Sequence, residues 1–155
     1  MRPYQVSFLA FFLCASVILF AYYAQYQWHI EPCPLCLIQR FFYFLLGLSF
    51  LGHALSRTRY WVWLGIVWSI LGAITAGRQI VLQHLPPEKV PACGQGLDYM
   101  FSTFSSNEIL LELLHGSGEC ALVSWRGFGF SFAEWSFAGF ALFMSTLVWM
   151  LYAKK

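Results

Sequence analysis

Four long apolar runs, separated by short polar stretches, dominate the pattern along the chain. They cover residues 6–26, 37–55, 60–82 and 135–152. Each run is long enough, as a helix, to cross the roughly 30 Å hydrocarbon core of a bilayer. Tryptophans and tyrosines cluster at several of their ends, as they do at membrane interfaces. The pattern predicts an all-α membrane protein, in which residues 1–155 form one four-helix transmembrane domain.

Connections between the runs differ greatly in length. Residues 56–59 form a very short connection, so the second and third helices are expected to be antiparallel neighbours. Gly65, Gly72 and Gly77 in the third run favour close helix packing, because small residues let helices approach in lipid. The first run exceeds the 7–15 apolar residues of a signal peptide, so we expect it to be retained as a span.

The connection at about 83–134 is the long one, and its length indicates a functional role. Ser105 and Glu108 have the spacing of a capping box, which marks a helix start. Apolar residues at 109–110 and 113–114 then alternate with polar ones in a helical period. We predict a short amphipathic helix that either lies on the membrane surface or packs on the other helices.

Charge supports the membrane reading and orients the chain. Only 10% of residues are charged and 59% are hydrophobic, whereas about 25% are charged in soluble domains. The net charge of +2 and the lack of a basic patch argue against nucleic acid. Basic residues without acids occupy both flanks and the second connection, so both termini are expected in the cytoplasm. Both outer connections, near 27–36 and 83–134, then face the opposite side.

Cys33 and Cys36 stand three residues apart at the start of the second run. Pro34 suits the first turn of a helix, where the dipole and free N–H groups favour a thiolate at Cys36. Arg40 follows one turn later on the same helix face. Its charge there would favour the thiolate form of Cys36 or bind the polar edge of a ligand. A snorkelling arginine is the structural alternative.

Two further cysteines, Cys93 and Cys120, lie in the long connection and so face the same side as Cys33 and Cys36. That side is the oxidising one, where disulfides persist. Cys14 lies in mid-span and is expected to pack as a small apolar residue. His53 is expected at the interface near the cytoplasm, and no role is assigned to His84.

The chain resembles the DsbB family of membrane enzymes, which reoxidise the periplasmic thiol oxidase DsbA and pass electrons to quinone. Pro-Cys-x-x-Cys with an arginine four residues on, the loop cysteine pair and Gly116-Ser117-Gly118-Glu119-Cys120-Ala121 with the later Trp125 carry the resemblance. It covers nearly the whole chain. The chain departs from the best-known members at Gln39 and Gly94, since acids stand at those positions in many of them.

The resemblance implies a role for each cysteine and for Arg40. Cys93 would form the mixed disulfide with a DsbA-like thioredoxin-fold partner, and Cys120 would be its disulfide mate. Cys33 would exchange with that pair, while Cys36, its own disulfide mate, would face ubiquinone or menaquinone beside Arg40. The protein would then be a quinone-reducing protein-disulfide oxidoreductase of the bacterial inner membrane, in contact with the lipid and quinone pool.

Four alternatives stay open from the sequence. The chain could be a dedicated paralogue that serves one partner or substrate. It could resemble vitamin-K-epoxide reductases, although their loop pair precedes the C-x-x-C. A scaffold stapled by two disulfides is disfavoured, because a C-x-x-C bridge closes almost no loop. A zinc site is disfavoured because Cys93 and Cys120 are far apart in sequence, whereas structural zinc sites pair close cysteines.

Arg78, near the outer end of the third run, could contact a ligand, or its side chain could snorkel to the membrane interface.

Overall fold

The computed structural model describes residues 3–29, 32–86, 118–121, 123 and 125–152. Most of these residues are helical. The helices are α1 (Pro3–Gln27), α2 (Pro34–Ser56), α3 (Arg59–His84) and α4 (Phe132–Tyr152). A 3₁₀ turn (Gly118–Ala121) and a hairpin of β1 (Arg126–Gly127) and β2 (Phe130–Ser131) precede α4. All four α-helices are long and apolar enough to span a membrane, which makes this a multi-pass membrane protein.

Local sequence explains where α2 begins and ends. Cys33 is the extended residue before the helix, and Pro34 occupies the first turn, where its missing N–H costs nothing. Arg57 ends α2 in the left-handed conformation, with its N–H donating to the His53 carbonyl oxygen at 2.9 Å. Thr58 is the N-cap residue of α3 and is extended, but its side chain makes no capping hydrogen bond. This short reversal makes α2 and α3 the antiparallel neighbours that the sequence predicts.

The helices pack in chain order, α1 on α2, α2 on α3 and α3 on α4. Gly72 of α3 lies against the buried ring of Phe140 on α4, and Gly65 lies against Leu147. Ser69 also donates a hydrogen bond to the Phe140 carbonyl oxygen at 2.9 Å. Close approach at small residues therefore builds the α3–α4 interface, as predicted for Gly65 and Gly72.

A buried polar contact joins helix ends at the end of the bundle opposite Cys33. His53 Nδ1 and Ser7 Oγ lie 2.6 Å apart, and the Ser7 hydroxyl is also 3.5 Å from the Met150 sulfur. His53 is only 8% exposed. Its position at the end of α2 agrees with the expected place near the membrane interface, and its ring is buried there against Ser7 of α1.

The hairpin before α4 was not predicted. Phe128 and Gly129 both have positive φ, 54° and 87°, which is the pattern of a type I′ turn. Ser131 and Glu134 then form a capping box, with the Ser131 N–H donating to the Glu134 carboxylate at 2.6 Å. As a result α4 begins at Phe132, before the predicted span. The predicted amphipathic helix of the long connection lies outside the described residues.

Candidate functional site

Cys33 and Cys36 lie together at the start of α2. Their sulfur atoms are 2.9 Å apart, and both residues are thiols in this structure. Cys33 is buried, whereas Cys36 is half-buried. The helix start creates this proximity, since three residues bring the two side chains to the same turn. The Cys33–Cys36 disulfide itself stays a prediction.

Cys120 comes from the 3₁₀ turn and is fully buried against the start of α2, in a cluster with Cys33, Leu35 and Leu82. A hydrogen bond with Cys120, a second one with Cys36 and burial raise the pKa of the Cys33 thiol far above its ordinary value. Cys33 is therefore protonated at neutral pH in this arrangement. The fold brings together three of the four predicted cysteines, and the fourth, Cys93, lies outside the described residues.

A glutamine that the sequence analysis missed completes this cluster. Gln79 of α3 directs its side-chain Nε2 at both sulfurs, 3.3 Å from Cys36 Sγ and 3.4 Å from Cys33 Sγ. Gln39 of α2 donates to Gln79 Oε1 at 2.7 Å. Both glutamines are buried. Their signal was a polar residue inside an apolar run, which marks function in membrane helices, but Gln79 was overlooked beside the charged Arg78.

Arg40 lies one helical turn after Cys36, but its described hydrogen bonds go to α1. Its guanidinium donates to Gln25 Oε1 at 2.6 Å and to the Ala21 carbonyl oxygen at 3.0 Å. The guanidinium carbon also lies 5.0 Å from the ring centroid of Tyr22. The charge is thus satisfied by protein partners at the edge of the site. Both Arg40 and Cys36 line a cavity between the helices.

A cavity of about 690 Å³ opens beside the cysteine pair. This volume lies within the roughly 300–1,000 Å³ range of small-molecule sites. Helices α1, α2 and α4 supply most of its wall, which is largely apolar. A group of polar wall residues lies beside the cysteines and includes Cys33, Cys36, Gln39, Arg40, Gln79 and Gln83, with Gln25 bonded to Arg40 and Ser131 bonded to Gln83. Ser16, Tyr43 and Ser136 also line the cavity. An apolar ring with polar substituents at one edge would match this distribution.

Stacked aromatic rings border the cysteine end of the cavity. Trp125 stacks on Trp28 at 5.7 Å and on Phe132 at 4.5 Å, measured between ring centroids. Trp125, Phe132 and Phe128 all line the cavity. The hairpin and the end of α1 are thereby tied together next to the sulfurs. His84 is exposed at the end of α3, where its Nδ1 lies 2.9 Å from the Ile80 carbonyl oxygen of its own helix.

Comparison with known proteins decides the family. Residues 3–150 match the family model described as Disulfide bond formation protein DsbB. The chain belongs to the DsbB family. A Disulfide bond formation protein B from Hahella chejuensis is 44% identical over 149 residues, which cover 93% of this chain and 89% of the relative. No solved structure matches the chain.

Two further DsbB relatives match over a similar extent. The Disulfide bond formation protein B of Nitrosococcus oceani is 38% identical, and the match covers 94% of this chain and 89% of the relative. The protein of that name from Methylococcus capsulatus is 40% identical, with 91% and 90% covered. Membership in the DsbB family supports an oxidoreductase that acts in disulfide bond formation, as the sequence resemblance indicated.

Proposed function

We propose that this DsbB-family protein reoxidises a periplasmic DsbA-like oxidase of thioredoxin fold and passes the electrons to a membrane quinone. The observation that carries the proposal is the opening of the Cys33–Cys36 pair onto a largely apolar cavity within a membrane helix bundle. We place the protein in the bacterial inner membrane with both termini in the cytoplasm. This orientation puts the cysteines on the oxidising side.

Thiol–disulfide exchange accounts for the first half of the relay. A thiolate of the reduced partner attacks Cys93 of a Cys93–Cys120 disulfide, and Cys120 leaves with the electron pair. The Cys120 thiolate then attacks Cys33 of the Cys33–Cys36 disulfide, which releases Cys36 as the thiolate. The position of Cys120, buried against Cys33, supports this second exchange. The partner's second thiol then attacks the bond between the partner and Cys93, so the partner leaves oxidised and Cys93 is released as a thiolate. That thiolate attacks Cys120 of the Cys33–Cys120 bond, which re-forms the Cys93–Cys120 disulfide and leaves Cys33 and Cys36 as the reduced pair.

The cavity residues fit a quinone in the second half of the relay. A bound quinone supplies an acceptor for two electrons and two protons, the same number that one dithiol releases. Cys36 would present its sulfur to the ring, while Arg40 and Gln39 would face polar substituents at the same end. The apolar wall of α1 and α4 would hold the ring and exclude water. Whether ubiquinone or menaquinone is preferred depends on contacts along this wall.

The test is the absorbance of quinone mixed with purified protein and a reduced thioredoxin-fold oxidase. Catalytic loss of the oxidised quinone band is expected, and it should vanish in Cys36→Ala and in Cys93→Ala. Cys14→Ala is the matched control, since Cys14 is buried in mid-bundle and should keep full turnover. Absence of turnover with several partners and both quinones, in folded protein, would refute the relay. Turnover with a single partner would identify a dedicated paralogue.

A further inference from the structure

The amide of Gln79 faces both members of the cysteine pair. Its Nε2 carries two N–H groups, so it can donate to Cys33 Sγ and Cys36 Sγ at the same time. The distances of 3.4 Å and 3.3 Å are suitable for hydrogen bonds to sulfur. Gln79 is 4% exposed, so water does not compete with these contacts. In such a shielded place a hydrogen bond to a charged atom is stronger than it is in water.

Gln39 determines which end of the Gln79 amide faces the sulfurs. The Gln39 Nε2 donates to Gln79 Oε1 at 2.7 Å, so the oxygen is held toward Gln39. The Gln79 Nε2 then lies closer to the Cys36 sulfur, at 3.3 Å, than the oxygen does, at 3.7 Å. Gln39 is itself only 5% exposed. An acceptor-only side chain at position 39 would reverse this arrangement. It would attract Gln79 Nε2 and turn Oε1, which cannot donate, toward the sulfurs.

We propose that Gln79 is a catalytic residue whose N–H groups stabilise the Cys36 thiolate, and that Gln39 is the positioning residue that orients Gln79. The place of this step in the relay rests on the proposed function. When a thiolate attacks Cys33, a new S–S bond forms and the Cys33–Cys36 bond breaks. The electron pair of the broken bond stays on Cys36 Sγ, next to Gln79 Nε2. The amide donates hydrogen bonds and loses no proton.

The other groups around Cys36 do not replace this donor. The titratable and charged groups near it in the described part of the chain are Cys33, Cys120 and, one turn along α2, Arg40. While it is protonated, the Cys33 thiol can also donate to the Cys36 sulfur, 2.9 Å away, but once Cys33 is held in the new S–S bond it has no proton to donate. An ionised Cys120 would repel a neighbouring negative charge. Arg40 directs its described hydrogen bonds to α1. Gln79 is thus the neutral donor that lies directly on the sulfur.

The experiment measures how fast iodoacetamide alkylates Cys36 as a function of pH, in reduced full-length protein that carries Cys33→Ala. Mass spectrometry of the peptide that contains Cys36 separates it from other cysteines. Gln79→Leu should move the midpoint of the profile upward by about one pH unit or more, the value of a hydrogen bond to a charged atom. Gln39→Glu should move it in the same direction, because the amide reverses and a negative charge is added.

Thr75→Val is the matched control, since Thr75 lies one turn before Gln79 on α3 and its hydroxyl donates to the Gly72 carbonyl oxygen of the same helix at 2.8 Å. Its midpoint should stay at the parental value. An unchanged midpoint in folded Gln79→Leu would overturn the proposal. If Gln79→Leu does not fold, Gln39→Glu decides in its place. Because alkylation needs neither quinone nor partner, a failed relay assay leaves this result independent.

Discussion

Two glycines on α3 offer a matched test of how tightly the bundle is packed. A methyl group added at Gly72 would overlap the ring of Phe140. That ring cannot withdraw easily, because Phe140 is fully buried and stacks on Tyr43 with centroids 4.1 Å apart. A methyl group added at Gly77 would meet only Phe137, at ordinary contact distances of 3.8 and 4.0 Å.

Gly72→Ala and Gly77→Ala should therefore change stability in opposite directions. Both substitutions gain helix propensity of up to about 1 kcal/mol. Gly72→Ala also introduces overpacking, which typically costs about 1–3 kcal/mol, so its net effect after the propensity gain is a loss of up to about 2 kcal/mol. The difference between the two variants cancels the shared propensity and isolates the overlap with Phe140. We expect that difference to be about 1–3 kcal/mol.

The assay is unfolding of each variant in mixed detergent micelles with increasing dodecyl sulfate, followed by circular dichroism. The parent should unfold between Gly72→Ala and Gly77→Ala. If Gly72→Ala matches or exceeds Gly77→Ala in stability, the close approach of α3 and α4 at Phe140 is wrong. A loss of stability in both variants would instead show that position 77 is also tightly packed.

Three further predictions concern the site and the start of α4. Arg40→Met should insert normally and keep thiol exchange but reduce quinone about tenfold more slowly, since a charge-assisted contact is lost; unchanged quinone kinetics would contradict a role for Arg40. The pKa of Cys33 is raised above its ordinary 9.0, so the stability this thiol adds to the reduced fold is complete below pH 9 and is lost at higher pH. Alkylation of Cys33 should accordingly be slow at neutral pH. It should become faster in Cys120→Ala, which removes the hydrogen bond that is the main cause of the raised pKa. Equal alkylation rates in the two proteins would refute the contact between Cys33 and Cys120. Ser131→Ala should cost about 1 kcal/mol in the same unfolding assay, because the cap at α4 is lost, whereas Ser145→Ala at an exposed position should cost little.

Apolar runs were sufficient to predict the four helices, because the bilayer demands long uninterrupted apolar stretches whatever their partners. The hairpin before α4 was invisible for a physical reason. A type I′ turn is usually marked by Asn-Gly or Gly-Gly, whereas here Phe128 takes the first left-handed position. Phe128 is also 97% exposed, and an exposed phenylalanine gives no alternation of apolar and polar residues that would mark a hairpin in the sequence.

The cysteines of the site were predictable and their neighbours were not. Spacing alone placed Cys36 in the first turn of α2, since that relation is local. Arg40 has the predicted helix face, but its long side chain reaches Gln25 and Ala21 on α1, a partner that i,i+4 spacing cannot indicate. Gln79 required knowledge of how α3 is rotated against α2. Such a rotation depends on packing across the whole interface, which a single sequence does not reveal.

The position of the cavity has a consequence for how the protein is made. Helices α2 and α3, which contain Cys33, Cys36 and Gln79, leave the ribosome before α4 does. The wall that faces α1 across the cavity belongs to α4 and to the hairpin before it. A nascent chain that has inserted three helices therefore has the cysteine pair but no enclosed cavity beside it. On the proposed relay, electron transfer to a quinone would begin only after the last helix has entered the bilayer, which would couple activity to completed biogenesis.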